Sequence, residues 1–167
     1  MKILQNYKFG GWFENISVRF LIRSDSRNII FTEISKFLGL QPDRYFIKGD
    51  PYFGKTFDPV RRNVQTVKKE RPISLWEITT KDKLDSDNVQ DHIYYLINIL
   101  EPIKDKINFY LERNLEFTVI VIIDVSWNWG ESEIVETGYS LDSELLSRLA
   151  TLCQYVEYNF ANSLVIK

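Results

Sequence analysis

The chain has 167 residues, a formal net charge of −2 and 44% hydrophobic residues, which predicts one globular domain over 1–167 with a core from about 16 to 160. The net charge argues against general affinity for nucleic acid. A single cysteine excludes an internal disulfide, and no apolar run is as long as a signal peptide or a membrane span. We therefore expect a cytoplasmic protein that does not associate with membranes.

The first elements predicted are a strand and a short helix. Residues 16–22 alternate between apolar and polar side chains, which is typical of a strand with one buried face. Residues 32–38 predict a helix that buries Ile34, Phe37 and Leu38. Gly39 follows, where a helix commonly ends in the left-handed conformation.

Residues 41–72 show no clear periodicity and contain four of the five prolines. We expect an irregular excursion here, in which short strands can be hidden, because so long a loop is uncommon in a compact domain. Residues 74–80 then predict a strand.

The clearest helical pattern extends over 87–113, where apolar residues recur every three or four positions. Asp87 and Gln90 resemble a capping box at its beginning. Pro102 lacks the N–H that a continuous helix needs, so we expect a kink or a restart at this residue.

The last third of the chain predicts two strands, a helix and a final strand. Residues 117–125 are β-branched on both faces, as in a central strand, and 133–140 are expected to return as a hairpin strand. Asp142 is expected to cap a helix over 143–153 that buries four leucines, Leu145, Leu146, Leu149 and Leu152. With a strand over 155–160, the order predicts an α+β two-layer sandwich, with a mixed, mostly antiparallel sheet and helices packed on one face.

Five stretches, taken in order, extend over most of the chain: ISVRFLIRS, FTEISKFLGLQPDRYFIKGD, SLWEITT, LINILEP and GYSLDSELLSRLATL. Together they resemble a bacterial family known only as domain-of-unknown-function family 4279. The segment 51–72 and the first 15 residues depart from the family pattern. Some members look like immunity proteins of bacterial toxin systems, so the resemblance implies a binding role and no assigned activity.

The most unusual feature of the charge pattern is a basic segment, residues 44–71. It contains eight basic and three acidic residues, a net charge of +5, so the rest of the chain carries −7. Aromatic residues are interleaved with the cations, and we take Tyr52, Phe53, Arg61 and Arg62 as candidates for binding a partner. Three interpretations stay open: a solvated excursion, a surface for an acidic protein, and a site for single-stranded nucleic acid or another anion.

Trp127 and Trp129 lie two positions apart in a predicted turn. Exposed aromatic patches are often contact sites, so these tryptophans are further partner-binding candidates. They are equally expected to cover the open end of the core.

Lys48, Gly49 and Asp50 are candidates for binding an anion through backbone amides and the lysine. The flanking glycines of a phosphate-binding loop are absent, and a plain turn with a Lys–Asp ion pair is an alternative. Asp82, Asp85, Asp87 and Asp91 also cluster, but they do not have the spacing of a calcium loop and suit the positive end of a helix.

The sequence supplies no catalytic site and no metal site that we can identify. His92 is the only histidine and Cys153 the only cysteine, which is too few for a zinc site. We therefore expect no cofactor, and a non-enzymatic module that binds another protein, with an immunity or inhibitor protein as the specific type expected. The alternatives are a small-ligand or anion-binding domain, a carboxylate-based enzyme and nucleic-acid binding through 44–71; a homo-oligomer is also possible.

Overall fold

The computed structural model describes residues 12–59, 61–128 and 141–163, with side chains described for 15–59, 61–126 and 141–159. Seven strands and four helices lie in these ranges, with a 3-10 turn between the second and third helices. In chain order they are β1 (Trp12–Ser24), α1 (Phe31–Leu38), β2 (Arg44–Phe46), β3 (Pro51–Asp58), β4 (Asn63–Glu70), β5 (Ser74–Thr79), α2 (Val89–Leu100), the 3-10 turn (Glu101–Ile103), α3 (Lys104–Arg113), β6 (Phe117–Asn128), α4 (Ser143–Ala150) and β7 (Tyr155–Ser163).

Five strands form the main sheet, in the order β2-β5-β1-β6-β7. Every pair is antiparallel except β6 and β7, which are parallel and have α4 between them in the chain. A parallel pair needs such a crossover connection. The predicted α+β fold with a mixed, mostly antiparallel sheet is confirmed.

The helices cover one face of this sheet and form the main core with it. Side chains of β1, β5 and β6 that point to this face share one buried cluster with those of all four helices. Trp76 is fully buried there, edge-on to Phe20, and its indole N–H donates to the Ser35 hydroxyl at 3.0 Å. A buried indole N–H needs such a partner, so Trp76 joins β5 to α1 through both packing and hydrogen bonding.

The helix boundaries follow local signals in the sequence. Gly39 ends α1 in the left-handed conformation with φ +75°, as expected. Pro102 lies in the 3-10 turn that separates α2 from α3, which confirms the predicted restart. Asp142 caps α4 by accepting from the Leu145 N–H at 2.6 Å. The cap of α2 is Asn88, which accepts from the Gln90 N–H, so the predicted capping role of Asp87 is wrong.

Two residues expected in the core are partly exposed. Leu146 lies on the solvent side of α4, whereas Leu145, Leu149 and Leu152 are buried. Phe37 is also partly exposed and stacks on Phe109 of α3, with ring centroids 5.8 Å apart.

The opposite face of the sheet carries no helix in the described ranges. It has a small apolar cluster formed by Leu21, Leu75, Ile120 and Ile122, and beside it a row of charged side chains crosses four strands. The row begins at Arg44 of β2 and ends at Asp124 of β6. Arg44 contacts buried Glu77 at 2.7 Å, Glu77 lies 3.7 Å from Arg19, and Arg19 contacts Asp124 at 2.6 Å.

Burial of Arg19 opposes its positive charge, but the two carboxylates outweigh this effect. Its hydrogen bond to Asp124 and the charges of Asp124 and Glu77 raise the pKa of Arg19 above its usual value. The row therefore keeps charged groups paired on a face that also buries apolar side chains.

The predicted irregular excursion over 41–72 is mostly regular structure. It contains β2, which joins the edge of the main sheet, and the β3–β4 hairpin, which forms a separate two-stranded sheet. Prolines and glycines in the segment therefore do not prevent strand formation.

The expected return strand over 133–140 lies outside the described residues. Within the described ranges, each helix is too short or too polar to cross a bilayer.

Candidate protein-binding surface

The β3–β4 hairpin pairs residues from Pro51 opposite Glu70 to Asp58 opposite Asn63 in unbroken register. Side chains alternate between the two faces of such a ribbon. One face, which we call the outward face, carries eight side chains, all exposed. They form four cross-strand pairs: Pro51 with Glu70 at the base of the hairpin, then Phe53 with Lys68, Lys55 with Thr66, and Phe57 with Val64.

The apolar residues of the outward face are far more exposed than a folded chain requires. Phe53 is 77% exposed, Phe57 60% and Val64 62%. Phe57 and Val64 are directly opposite each other, so they form a continuous apolar area near the end of the hairpin. Contiguous exposed apolar surface is typical of a site that another molecule covers.

Cations without an acidic partner accompany these apolar residues. Among the described residues, no carboxylate oxygen lies within 4 Å of the ammonium of Lys55 or Lys68, or of the Arg62 guanidinium. The hairpin therefore presents positive charge that the described part of the chain does not neutralise.

The tip of the hairpin carries the two predicted arginines. The Asp58 carboxylate accepts from the Arg61 N–H at 3.1 Å and lies 3.9 Å from the Arg61 guanidinium. Arg62 has φ 51°, a left-handed conformation that is uncommon outside glycine. Both arginine side chains lie at the exposed end of the ribbon, in the connection between Phe57 and Val64.

Tyr52 belongs to the other face of the hairpin, so it is separated from Phe53. Its ring lies against the Arg71 guanidinium, 4.1 Å from the ring centroid, and Arg71 also lies 4.3 Å from the centroid of Phe46. Tyr52 is half-buried and contacts the base of the hairpin, which suits it to hold the hairpin in place.

The Lys48–Asp50 turn uses its backbone amides within the protein. The Ile47 N–H donates to the Asp50 carboxylate, the Lys48 N–H to the Ser74 hydroxyl, and the Gly49 N–H to the Arg71 carbonyl. The Asp50 N–H donates to the Ile47 carbonyl. These amides therefore already have acceptors, which leaves the Lys48 ammonium as the group of the predicted anion site that can still bind.

The Lys48 ammonium lies 4.0 Å from the Asp25 carboxylate, and the Asp50 carboxylate accepts from the Ile47 N–H. The expected ion pair thus involves a residue of another loop. Gly49 adopts φ +93°, which favours glycine, and a Cβ at this position would lie 3.3 Å from the Arg27 guanidinium, so that side chain would have to move slightly.

The two tryptophans predicted as partner-binding candidates are only partly described. Trp127 lies in β6, where its backbone pairs with Phe13 on one side and Asn162 on the other. Its side chain and all of Trp129 lie outside the described residues, so their proposed contact role stays a prediction.

His92 is buried and both of its ring nitrogens are hydrogen-bonded. Its Nε2 donates to the Ser86 carbonyl at 3.0 Å, since a carbonyl can only accept, and in the neutral ring Nδ1 then accepts from the Thr80 hydroxyl at 2.7 Å. The Thr80 oxygen accepts in turn from the Val18 N–H at 2.9 Å. His92 therefore connects α2 to the end of β5 and to β1.

Cys153 is half-buried, and this burial raises the pKa of its thiol to about 11. The thiol is therefore protonated at neutral pH and is a poor nucleophile. Its Sγ donates to the Leu149 carbonyl at 3.3 Å, which suits a packing role just after the end of α4.

The acidic cluster before α2 is used for local structure. Asp91, in the first turn of α2, accepts from the Ser86 hydroxyl at 2.6 Å. Ser86 also lines an open cleft of about 590 Å³ formed by residues 15–17 and 81–86. In the described part of the chain, no three His, Cys, Asp or Glu side chains are grouped so as to hold a metal ion.

Phe57, Val64, Lys55 and Lys68 were not among the residues predicted to bind. The sequence feature that could have identified them is the alternation over 51–58, because Phe53, Lys55 and Phe57 occupy every second position and therefore share one face of a strand. It is obscured because large apolar and cationic residues occupy the same face, so the face does not look apolar in the sequence.

The described segments match a known family model. Residues 14–156 match the model of a domain of unknown function, DUF4279. The matched range includes the hairpin and leaves out the first 13 residues. A search of the curated proteins and a search of the solved structures each returned no match. The family match extends over far more than half of the chain, so the chain belongs to the DUF4279 family.

Proposed function

We propose that this chain is a non-enzymatic protein-binding module whose contact surface is the outward face of the β3–β4 hairpin. The observation that carries the proposal is the exposure of Phe53, Phe57 and Val64 on one side of the ribbon. Burying a side chain of this size against a partner contributes about 1.5–3 kcal/mol. The face thus offers a strong apolar contact that the chain leaves unused.

The unpaired cations favour an acidic protein as that partner. Lys55 and Lys68 flank the apolar residues, and the arginines at the tip extend the positive area, so an acidic rim around an apolar centre is complementary. Val64 supports a protein over nucleic acid, because an aliphatic side chain gives a base no π-face to stack on. The charge of −7 outside the basic segment also opposes a long nucleic acid.

An inhibitor or immunity protein of a toxin system is the specific role we propose. Such a protein acts by covering another protein's surface, so it needs an exposed contact area and no reactive groups. The proposed site for this action is the cytoplasm, where a lone thiol such as Cys153 remains reduced. An anion-binding function at Lys48 has weaker support, because the amides of that turn are already bonded.

The test is affinity capture from the native host with the tagged wild-type chain and a Phe53→Ser/Phe57→Ser variant. We expect the wild type to retain an acidic protein in stoichiometric amount. The double variant should retain at least about 30-fold less of it, since central aromatic contacts dominate binding energies.

Leu115→Ser is the matched control, because Leu115 is 91% exposed and lies outside the hairpin, between α3 and β6. This variant should retain the partner as the wild type does. Equal retention by the hairpin variant would contradict the proposal. Capture of single-stranded oligonucleotide in place of protein, lost steeply with added salt, would favour the nucleic-acid alternative.

A further inference from the structure

The hairpin is joined to the rest of the domain at its base. Among the described elements, β3 and β4 make extensive contact only with each other. A two-stranded ribbon alone is at best marginally stable in water. Contacts near residues 46–52 and 70–71 must therefore fix the direction in which the outward face points.

Arg71 makes the side-chain link at this base. Its guanidinium carbon lies 4.1 Å from the ring centroid of Tyr52, which belongs to β3, and 4.3 Å from that of Phe46, which belongs to β2. Phe46 packs in turn on the apolar cluster of Leu21, Leu75 and their neighbours. One cation thus contacts a ring of the hairpin and a ring anchored in the main sheet.

The backbone of Arg71 reinforces this link. Its N–H donates to the Asp50 carbonyl and its carbonyl accepts from the Gly49 N–H, both at 2.9 Å. No carboxylate among the described residues lies within 4 Å of its guanidinium, in contrast to Arg19 and Arg44 of the main sheet. The two rings are therefore the principal partners of its charge.

We propose that Arg71 is a positioning residue that pre-orders the hairpin through the Phe46–Arg71–Tyr52 stack. The stack holds the ribbon in one direction before a partner arrives, which lowers the entropic cost of binding. This consequence for binding rests on the proposed function; the ordering of the hairpin does not.

Native-state amide hydrogen exchange of the free protein tests the ordering directly. In Arg71→Met, which keeps the length of the side chain and removes the charge, amides of β3 and β4 should exchange about tenfold faster. Amides of β1 and β6 should exchange as in the wild type. Arg61→Met, at the tip, is the matched control and should change neither group.

Tyr52→Leu separates the stack from a general packing effect. It should reproduce the faster exchange of Arg71→Met, and the double variant should add little, because the same link is already broken. Arg71→Lys retains the cation, so amides of β3 and β4 should exchange more slowly in this variant than in Arg71→Met.

Unchanged exchange in β3 and β4 would overturn the proposal, and so would an equal increase in β1 and β6 or additive effects of the two substitutions. The measurement contains no partner, so its outcome is independent of the capture experiment. If Phe53→Ser/Phe57→Ser retains every partner while Arg71→Met loosens the hairpin, the proposed function fails and the positioning role of Arg71 stands.

Discussion

Trp76 of the main sheet is fully buried, whereas Phe53 of the hairpin is 77% exposed, although both lie on antiparallel strands of the same chain. Trp76 has apolar neighbours on its face and a hydrogen-bond partner in Ser35. Phe53 has Lys68 directly opposite it, and no described helix makes extensive contact with its strand. The main sheet thus uses aromatic residues to stabilise the fold, whereas the hairpin leaves them exposed and, on our proposal, available for contact.

The same contrast appears in the charges of the two sheets. Arg19 and Arg44 are paired with carboxylates across the main sheet, one of which, Glu77, is buried. Lys55 and Lys68 on the hairpin have no such partners in the described part of the chain. Arg19 and Arg44 thus find their counter-charges within the main sheet, whereas on our proposal another molecule supplies the counter-charges of the hairpin.

The largest expected effect comes from removing a core aromatic residue. Trp76→Ala should lower the free energy of unfolding by about 4 kcal/mol, because it leaves a cavity beside Phe20 and removes the partner of the Ser35 hydroxyl. Urea denaturation measures the loss. If the chain does not fold with alanine, Trp76→Phe should still cost about 1–2 kcal/mol through the lost hydrogen bond. Wild-type stability of both variants would contradict the assigned role of Trp76.

A buried polar group should have the next largest effect. Thr80→Val removes the hydroxyl that serves both the Val18 N–H and His92 Nδ1, so two buried polar groups lose a partner. We expect a loss of about 2 kcal/mol in urea denaturation. Thr66→Val, on the exposed face of the hairpin, is the matched control and should change stability by less than about 0.5 kcal/mol. Similar losses of unfolding free energy in the two variants would contradict the claim that the main sheet buries its polar groups and the hairpin exposes them.

The ion pair between α4 and the 3-10 turn should appear as a shifted titration. Arg148 donates to both oxygens of Glu101, at 2.7 and 2.8 Å, and these hydrogen bonds hold the pKa of Glu101 below its usual value of 4.5. The pair therefore stabilises the folded state above pH 4.5, and this contribution is lost as the pH falls through the lowered pKa. Arg148→Met should raise the pKa of Glu101 toward 4.5, which NMR titration of its carboxyl group measures.

Lys55→Met is the matched charge removal on the hairpin, and it should leave the titration of Glu101 unchanged. A normal pKa of Glu101 in the wild-type protein would contradict the bidentate contact.

The smallest expected effect is on the outward face itself. Phe53→Ala and Phe57→Ala should each change the free energy of unfolding by less than about 0.5 kcal/mol, because the rings are already exposed in the folded chain. Urea denaturation under the conditions used for the core variants gives the comparison. A loss comparable to that of Thr80→Val would show that these rings stabilise the fold, and their exposure would no longer indicate a contact surface.

The main sheet could be predicted from the sequence because buried positions give a regular spacing of apolar residues. Strand β6 is apolar on both faces, and it lies between β1 and β7 with both faces buried. Gly39 and Pro102 mark helix ends through their own backbone chemistry, which does not depend on distant residues. The shift of the α2 cap from Asp87 to Asn88 reflects two adjacent residues that can both cap, so local chemistry alone does not choose between them.

The hairpin could not be predicted in the same way because none of its described side chains is fully buried. Its residues lack an apolar core face, and Phe53, Lys55 and Phe57 on one side mix apolar with cationic side chains. The sequence identified Phe53 and the tip arginines by composition, but the cross-strand partners Val64 and Lys68 come from the register of β4. Tyr52 and Phe53 are adjacent in sequence and lie on opposite faces, which only the pairing of the strands reveals.

Site-specific photocrosslinking from position 53 is the most direct test of the proposed contact surface. Phe53 is replaced by benzoylphenylalanine, the chain is irradiated in its native host, and the adducts are compared with those formed from position 115. A binding module of the kind proposed gives one discrete protein adduct from position 53 that is absent from position 115. No adduct from position 53, or the same adducts from both positions, would contradict the assignment of the hairpin as the binding surface.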